Sequence, residues 1–329
     1  MRKGGDVIIY PAPPDTTRIQ FLTTINSSHD VAGKQSGFNK FIFGEVRALP
    51  VVKPYGIAID KGKIFVCDAS IVGLEILDLK NNKFEYFVPK GRGQLKLPSN
   101  CCVDPQGLLY VADAGRRQVV VFDSLGQYVD AFGDADEAKP TDVAVYGNRI
   151  YMPDATHNKI NVYQKDSKKL LFSFPDSTVT GDGHLFQPIN ICVNKDVIYV
   201  TDFGDFKVKL FNLKGEFISA VGEFGNSLGQ FARPKGIAAD RDDNLFVVDA
   251  GFENVQIFNK EGQLLMFFGG PYKGPGDLWL PAKVMIDYDN LSYFQKYVDP
   301  AFKLKYLIFV TNQYGPDKIN VYGAVEGKK

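Results

Sequence analysis

The chain has 329 residues, with 38 Lys+Arg against 38 Asp+Glu and a formal net charge of zero. That balance argues against general polyanion binding, which normally shows as a basic excess. Apolar residues at 45% supply a substantial core, 26 Phe and 16 Tyr favour strands, and no run of about 18 apolar residues exists to span a membrane.

The chain opens Met1-Arg2-Lys3-Gly4-Gly5-Asp6, without the apolar run of a secretory signal. It is therefore expected either to be cytoplasmic or to begin behind a removed signal. Residues 1–17 read as an extended lead-in, because Tyr10-Pro11-Ala12-Pro13-Pro14-Asp15 is rich in proline. A strand-like run, Arg18 to Ile25, then stands alone. Residues 34–49 follow as an aromatic-bearing insertion with Phe38, Phe41 and Phe43.

From there one phrase repeats. The anchor prolines are Pro54, Pro98, Pro140, Pro188, Pro234 and Pro281, at intervals of 44, 42, 48, 46 and 47 residues. A period in the forties with several short strands per unit is the mark of a propeller blade. After each proline comes a first strand: GIAID, NCCVD, DVAVY, NICVN, GIAAD and KVMID. A second strand ends in Asp68, Asp113, Asp154, Asp202 or Asp249, with Asn312 in the sixth unit. A third strand follows (LEILD, VVVFD, INVYQ, VKLFN, VQIFN, INVYG), and a fourth in five units. Turns such as Leu125-Gly126, Lys214-Gly215 and Glu261-Gly262 separate the third and fourth.

The sixth unit lacks its fourth strand, since the chain nearly ends after INVYG. Arg18 to Ile25 can supply it by pairing with Ile319 to Tyr322, which covers a sheet edge and ties the termini together. The expected architecture is an all-β, six-bladed propeller over residues 18–323, four antiparallel strands per blade, with a tail at 324–329. A second insertion, 288–305, lies between the first two strands of blade six and carries Tyr293, Phe294, Tyr297 and Phe302. Both insertions could form short helices. They are read as partner-binding surfaces, against the simpler reading that they pack on the propeller.

With the six phrases aligned, the sequence resembles the NHL-repeat β-propellers from about Arg18 to Tyr322. The motifs that carry this are LYVADA leading to VVVFD in blade two and PKGIA leading to VVDA in blade five. The linkers Gly229-Gln230-Phe231-Ala232-Arg233-Pro234 and Gly276-Asp277-Leu278-Trp279-Leu280-Pro281 match as well. No Trp-Asp pair of the WD40 kind exists. The lead-in PAPPDTTRIQFLTTI looks like bacterial NHL proteins of the exported lipoprotein kind, which implies an extracytoplasmic location with the native N-terminus missing here. The resemblance spans protein scaffolds, RNA-binding modules and one lyase branch, so it does not assign a function.

Five features bear on chemistry. His29, His157 and His184 occupy three different blade positions, so they are not expected to converge on one zinc, as the lyase branch would need. The acids repeated in every blade are read as structural acceptors for backbone N–H groups. Asp240, Asp242 and Asp243 lack the spacing of a calcium loop and read as a turn. The residue two after each proline is Gly56, Asn100, Asp142, Asn190, Gly236 or Lys283, which sets Asn100, Asp142 and Asn190 side by side. Their oxygens could bind a small polar ligand or a divalent ion such as calcium. Cys67, Cys101, Cys102 and Cys192 are expected to be reduced and buried.

The leading functional reading is a monomeric, non-catalytic binding scaffold that recognises a protein partner or ligand. A metal-dependent hydrolase or lyase at the channel mouth is the alternative. RNA binding by Arg116, Arg117, Lys159, Lys207, Lys209 and Lys318 ranks last.

Overall fold

A computed structural model describes residues 7–33, 47–133 and 137–328. Phe38, Phe41 and Phe43 lie outside the described residues. The protein is a six-bladed β-propeller of four-stranded antiparallel blades. The inner strands are Pro54–Asp60, Pro98–Val103, Ala144–Tyr146, Pro188–Asn194, Pro234–Ala239 and Pro281–Asp287.

Six separate hydrophobic clusters form the core, one in each wedge between neighbouring blades. A blade buries both faces, so its middle strands read as nearly continuous apolar runs. Val119, Val120, Val121 and Phe122 are all fully buried. Inner strands instead show one face to the central channel.

The ring closes as the strand count requires. β1 (Ile9–Tyr10) and β2 (Ile19–Ile25) join blade six, and β2 pairs with the last strand from Ile19↔Ala324 to Ile25↔Ile319. β1 adds a fifth strand by pairing Ile9 with Gln20 and Tyr10 with Ile19. The lead-in therefore covers the edge of β2. The last strand also runs further than expected: Ile319–Gly327 includes most of the presumed tail, because Phe302 and Lys303 pair with Gly327 and Glu326.

The second insertion forms a helical turn, Leu291–Phe294, followed by a 3-10 turn, Gln295–Tyr297. Its aromatics do not stand free. Phe294 is buried in the wedge between blades six and one, and Tyr293, Tyr297 and Phe302 are half-buried against the same cluster. This corrects the partner-facing reading of Phe294. The short helix cannot shield its own apolar face, and the wedge accepts it. The segment also clamps β2: Gln20 Nε2 donates to Tyr297 O at 3.0 Å, and Asp299 N donates to Gln20 Oε1 at 3.0 Å.

All four cysteines are free. Cys67 and Cys101 are buried, whereas Cys102 and Cys192 are half-buried and line the channel. Full burial of all four is thus corrected for two of them. Burial pushes the Cys67, Cys102 and Cys192 thiols up, which makes them poor nucleophiles.

Candidate functional site

Each anchor proline pairs with the acid, or the asparagine, that ends the second strand: Pro54↔Asp68, Pro98↔Asp113, Pro140↔Asp154, Pro188↔Asp202, Pro234↔Asp249 and Pro281↔Asn312. In the five blades with a full-length inner strand, the register shifts directly after this pair. A bulge bends its strand and re-aims a side chain. Here it brings residues two past the proline together at the end of the channel.

At this level the chain closes its own channel. Lys283 reaches across from blade six, and its Nζ donates to Asp142 Oδ2 at 2.6 Å and to Asn190 Oδ1 at 2.7 Å. Asp142 also accepts Val143 N at 2.8 Å and Ile191 N at 3.1 Å. Asn100 donates from Nδ2 to Thr141 O at 2.9 Å, while its Oδ1 has no hydrogen-bond partner. Asn100, Asp142, Asn190 and Lys283 are all buried. Glycine fills the other two positions because neighbouring backbone comes too close for a side chain. A Cβ on Gly56 would lie 2.5 Å from Asn100 Cα, and one on Gly236 would lie 2.5 Å from Lys283 Cα. Behind the plug the channel has a volume of about 280 Å³, with walls mostly of Ile, Val, Ala and Cys.

Asn100, Asp142 and Asn190, which share one position in successive blades, lie at the same end of the channel. The sequence pattern did not reveal that Lys283 would bind two of them. A divalent ion drawing on Asp142 and Asn190 would have to displace that ammonium, and like charges repel. The signal available was Lys283 itself, a cation at the position where three other blades carry oxygens.

The repeated acids hold the loops. Asp113 accepts Lys96 N, Leu97 N and Arg116 N at 2.7, 2.9 and 2.8 Å. Asp249 accepts Ala232 N, Arg233 N and Gly251 N at 2.7, 3.0 and 2.7 Å. Asn312 takes the same role with Trp279 N at 3.2 Å. The turn at Asp240 is likewise structural, since its Oδ1 accepts Asp242 N at 2.9 Å and Asn244 N at 2.8 Å. Asp104 repeats this with Gln106 N and Leu108 N.

One of these acids has a second carboxyl beside it. Burial, and then the neighbouring Asp68, push Glu75 up to about 9. Its Oε1 accepts Val52 N at 3.0 Å, while Oε2 meets no donor, so a proton on Oε2 can serve Asp68. An acid that binds its proton more tightly folded than unfolded favours folding most below about pH 4.5. That advantage is lost as pH climbs toward 9. Glu75→Gln keeps the Val52 contact and supplies a permanent donor. It should stabilise the protein at pH 7–8 by roughly 1–3 kcal/mol and lose its advantage near pH 4.5. Urea unfolding of both proteins across this range measures it, and a pH-independent difference would contradict the assignment.

Among the described residues no three His, Cys, Asp or Glu side chains gather as a metal cluster. His157 Nδ1 lies 2.8 Å from Asp154 Oδ2, His184 stacks edge-on against Phe186, and His29 sits in a short helix, Ser28–Ala32. Three of the six cations considered for RNA are committed within the protein. Lys209 is fully buried against Asp202 at 3.0 Å and Asp205 at 2.7 Å, Lys207 pairs with Asp182 at 2.7 Å, and Arg116 donates to Arg92 O and Gln94 O.

The chain direction in each antiparallel blade puts the blade-to-blade linkers and the loops between second and third strands on one face. At blades four to six this face carries Phe186, Phe224, Leu228, Trp279 and Tyr314, which are 51, 69, 55, 46 and 48% exposed. Phe206 lies 4.7 Å from Phe224 between ring centroids, and Tyr272 stacks on Trp279 at 5.7 Å.

A family model described as a six-bladed β-propeller matches residues 177–255. Among solved structures, a protein of unknown function from Bacteroides thetaiotaomicron is 16% identical with a TM-score of 0.64, covering 93% of this chain and 76% of that one. A gluconolactonase from Xanthomonas campestris is 15% identical, with a TM-score of 0.59 and 99% of each chain covered. A streptogramin B lyase is 14% identical, with a TM-score of 0.56 and 84% of each chain covered. These likenesses are of fold. A search of curated proteins finds no match. No helix among the described residues is long and apolar enough to cross a membrane.

Proposed function

We propose that this propeller is a non-catalytic binding scaffold that engages a protein partner through its loop face at blades four to six. The observation that carries this is the row of exposed aromatic and aliphatic side chains there, Phe186, Phe224, Leu228, Trp279 and Tyr314. Large apolar groups held in water on rigid loops cost little further entropy when a partner covers them, and aromatics dominate the energetics of such contacts. The loops are rigid because buried acids tie their backbone to the blades. Turnover is the competing reading, since a lyase and a lactonase share the fold. Against it stands the Lys283 ammonium among the channel oxygens that a catalytic divalent ion would use.

Phe224→Ala with Trp279→Ala should leave the fold intact, because Phe224 is 69% and Trp279 46% exposed and neither ring belongs to a core cluster. The pair should weaken partner capture by about 30-fold or more, corresponding to at least about 2 kcal/mol for an interface hot spot. Affinity capture with cross-linking, followed by titration of the recovered protein, measures this. Unchanged capture by the folded variant would refute the surface, and metal-dependent turnover of any substrate would refute the non-catalytic reading.

A further inference from the structure

The loop face has a second feature, closer to the channel axis. Lys235, one residue past its anchor proline, is buried at 7% exposure. Among the described residues its Nζ has one hydrogen-bond partner, Gln313 Oε1 at 3.4 Å, and it lies 5.5 Å from the centre of the Tyr55 ring. No carboxylate pairs with it among the described residues. The charged groups acting on it are two further cations, Arg233 and Lys53. Lys53 sits 5.0 Å from the Tyr314 ring and has no ion pair among the described residues either. These residues come from blades five, six and one. Blade six places Ala282, fully buried, at the position equivalent to Tyr55 and Lys235. The neighbouring carboxylates are engaged by other groups: Asp68 accepts the backbone N–H of Lys53, Asp249 accepts that of Arg233 at 3.0 Å, and Asp142 pairs with Lys283.

Buried cations normally have paired acids, because an ammonium removed from water without a counter-charge is costly. Lys209, in the same protein, follows that rule with two aspartates. Lys235 breaks it. We propose that the axial mouth of the loop face is an oxyanion site, in which Lys53, Arg233 and Lys235 bind the carboxylate or phosphate group of a small ligand. Arg233 supplies a planar two-pronged donor and the lysines supply point charges, the usual chemistry for such groups. Burial, then Arg233, then Lys53, depress Lys235 to about 8. An anion at the mouth reverses that effect.

The test uses the full chain titrated calorimetrically at constant ionic strength with inorganic phosphate and, separately, with succinate. Binding of either is expected, and the stronger one identifies the ligand class. Arg233→Gln and Lys235→Gln should each weaken it by about tenfold, the loss of one charge-assisted hydrogen bond. Lys207→Gln, on the same face but paired with Asp182, should change nothing. Affinity should fall as pH rises past 8. In the chain labelled by reductive ¹³C-methylation, the Lys235 resonance should titrate at higher pH once phosphate is added. Binding of neither anion, or binding equally strong in both cluster variants, overturns the site. Phe224→Ala/Trp279→Ala should bind the anion normally, so failure of the protein-docking surface leaves this result distinct.

Discussion

Removal of residues 1–26 is expected to abolish the folded monomer rather than trim a flexible end. These residues contain β1 and β2, the outer two strands of blade six. Ile19, Phe21, Leu22 and Ile25 are 2, 7, 0 and 3% exposed, and they pack into the wedges on both sides of that blade. At about 1.5–3 kcal/mol per fully buried large side chain, their loss removes roughly 6–12 kcal/mol. That is comparable to the whole stability of an ordinary domain, about 5–15 kcal/mol. It also uncovers the Ile319–Gly327 edge, a template for aggregation. Size-exclusion chromatography and circular dichroism of the truncated chain measure the outcome. A monomer with native spectrum and cooperative unfolding would show that closure is not needed. Leu22→Ala, which leaves the backbone pairing in place, should cost about 2–5 kcal/mol.

The second large effect is expected at the plug. Lys283→Met leaves Asp142 buried with only backbone donors and removes the partner of Asn190 Oδ1. Breaking a buried ion pair from one side costs about 3–5 kcal/mol, most of it the penalty of the stranded charge. Lys283→Met with Asp142→Asn removes both charges and should recover a large part of that loss. Denaturant unfolding of the two single variants and the double variant isolates the coupling. A loss below about 1 kcal/mol in Lys283→Met would mean that water already screens Asp142 at the channel end.

The plug also bears on how blades with six different inner strands close into one ring. Thr141 Oγ1 donates to Pro188 O at 3.0 Å, Ser99 Oγ to Thr141 O at 3.1 Å, and Thr311 Oγ1 to Tyr55 O at 2.6 Å. Short side chains near the anchor proline thus join successive blades, and Lys283 joins opposite ones. Such a lattice keeps the loop face fixed while the loops themselves vary.

Blade number, strand order and closure by the N-terminal strand were legible in the sequence because they follow from local pattern. Proline anchors recur at a set spacing, apolar runs have strand length, and five fourth strands for six blades leave one gap to fill. The roles of Asp113 and Asp249 were legible for the same reason, since an acid bonds to loop backbone within its own blade. Only the tertiary structure decided the contacts between distant blades. Lys283 and Asp142 are 141 residues apart, and their meeting depends on bulges after the prolines and on the ring's diameter. Lys235 and Tyr55 are a similar case, drawn from blades five and one to 5.5 Å between Nζ and ring centre. The aromatics of 288–305 read as free surface, yet Phe294 is core, because a short helix buries whichever face a neighbouring wedge can accept. Periodicity reports which side chains share a face of one strand; what lies opposite that face is set by the closed ring.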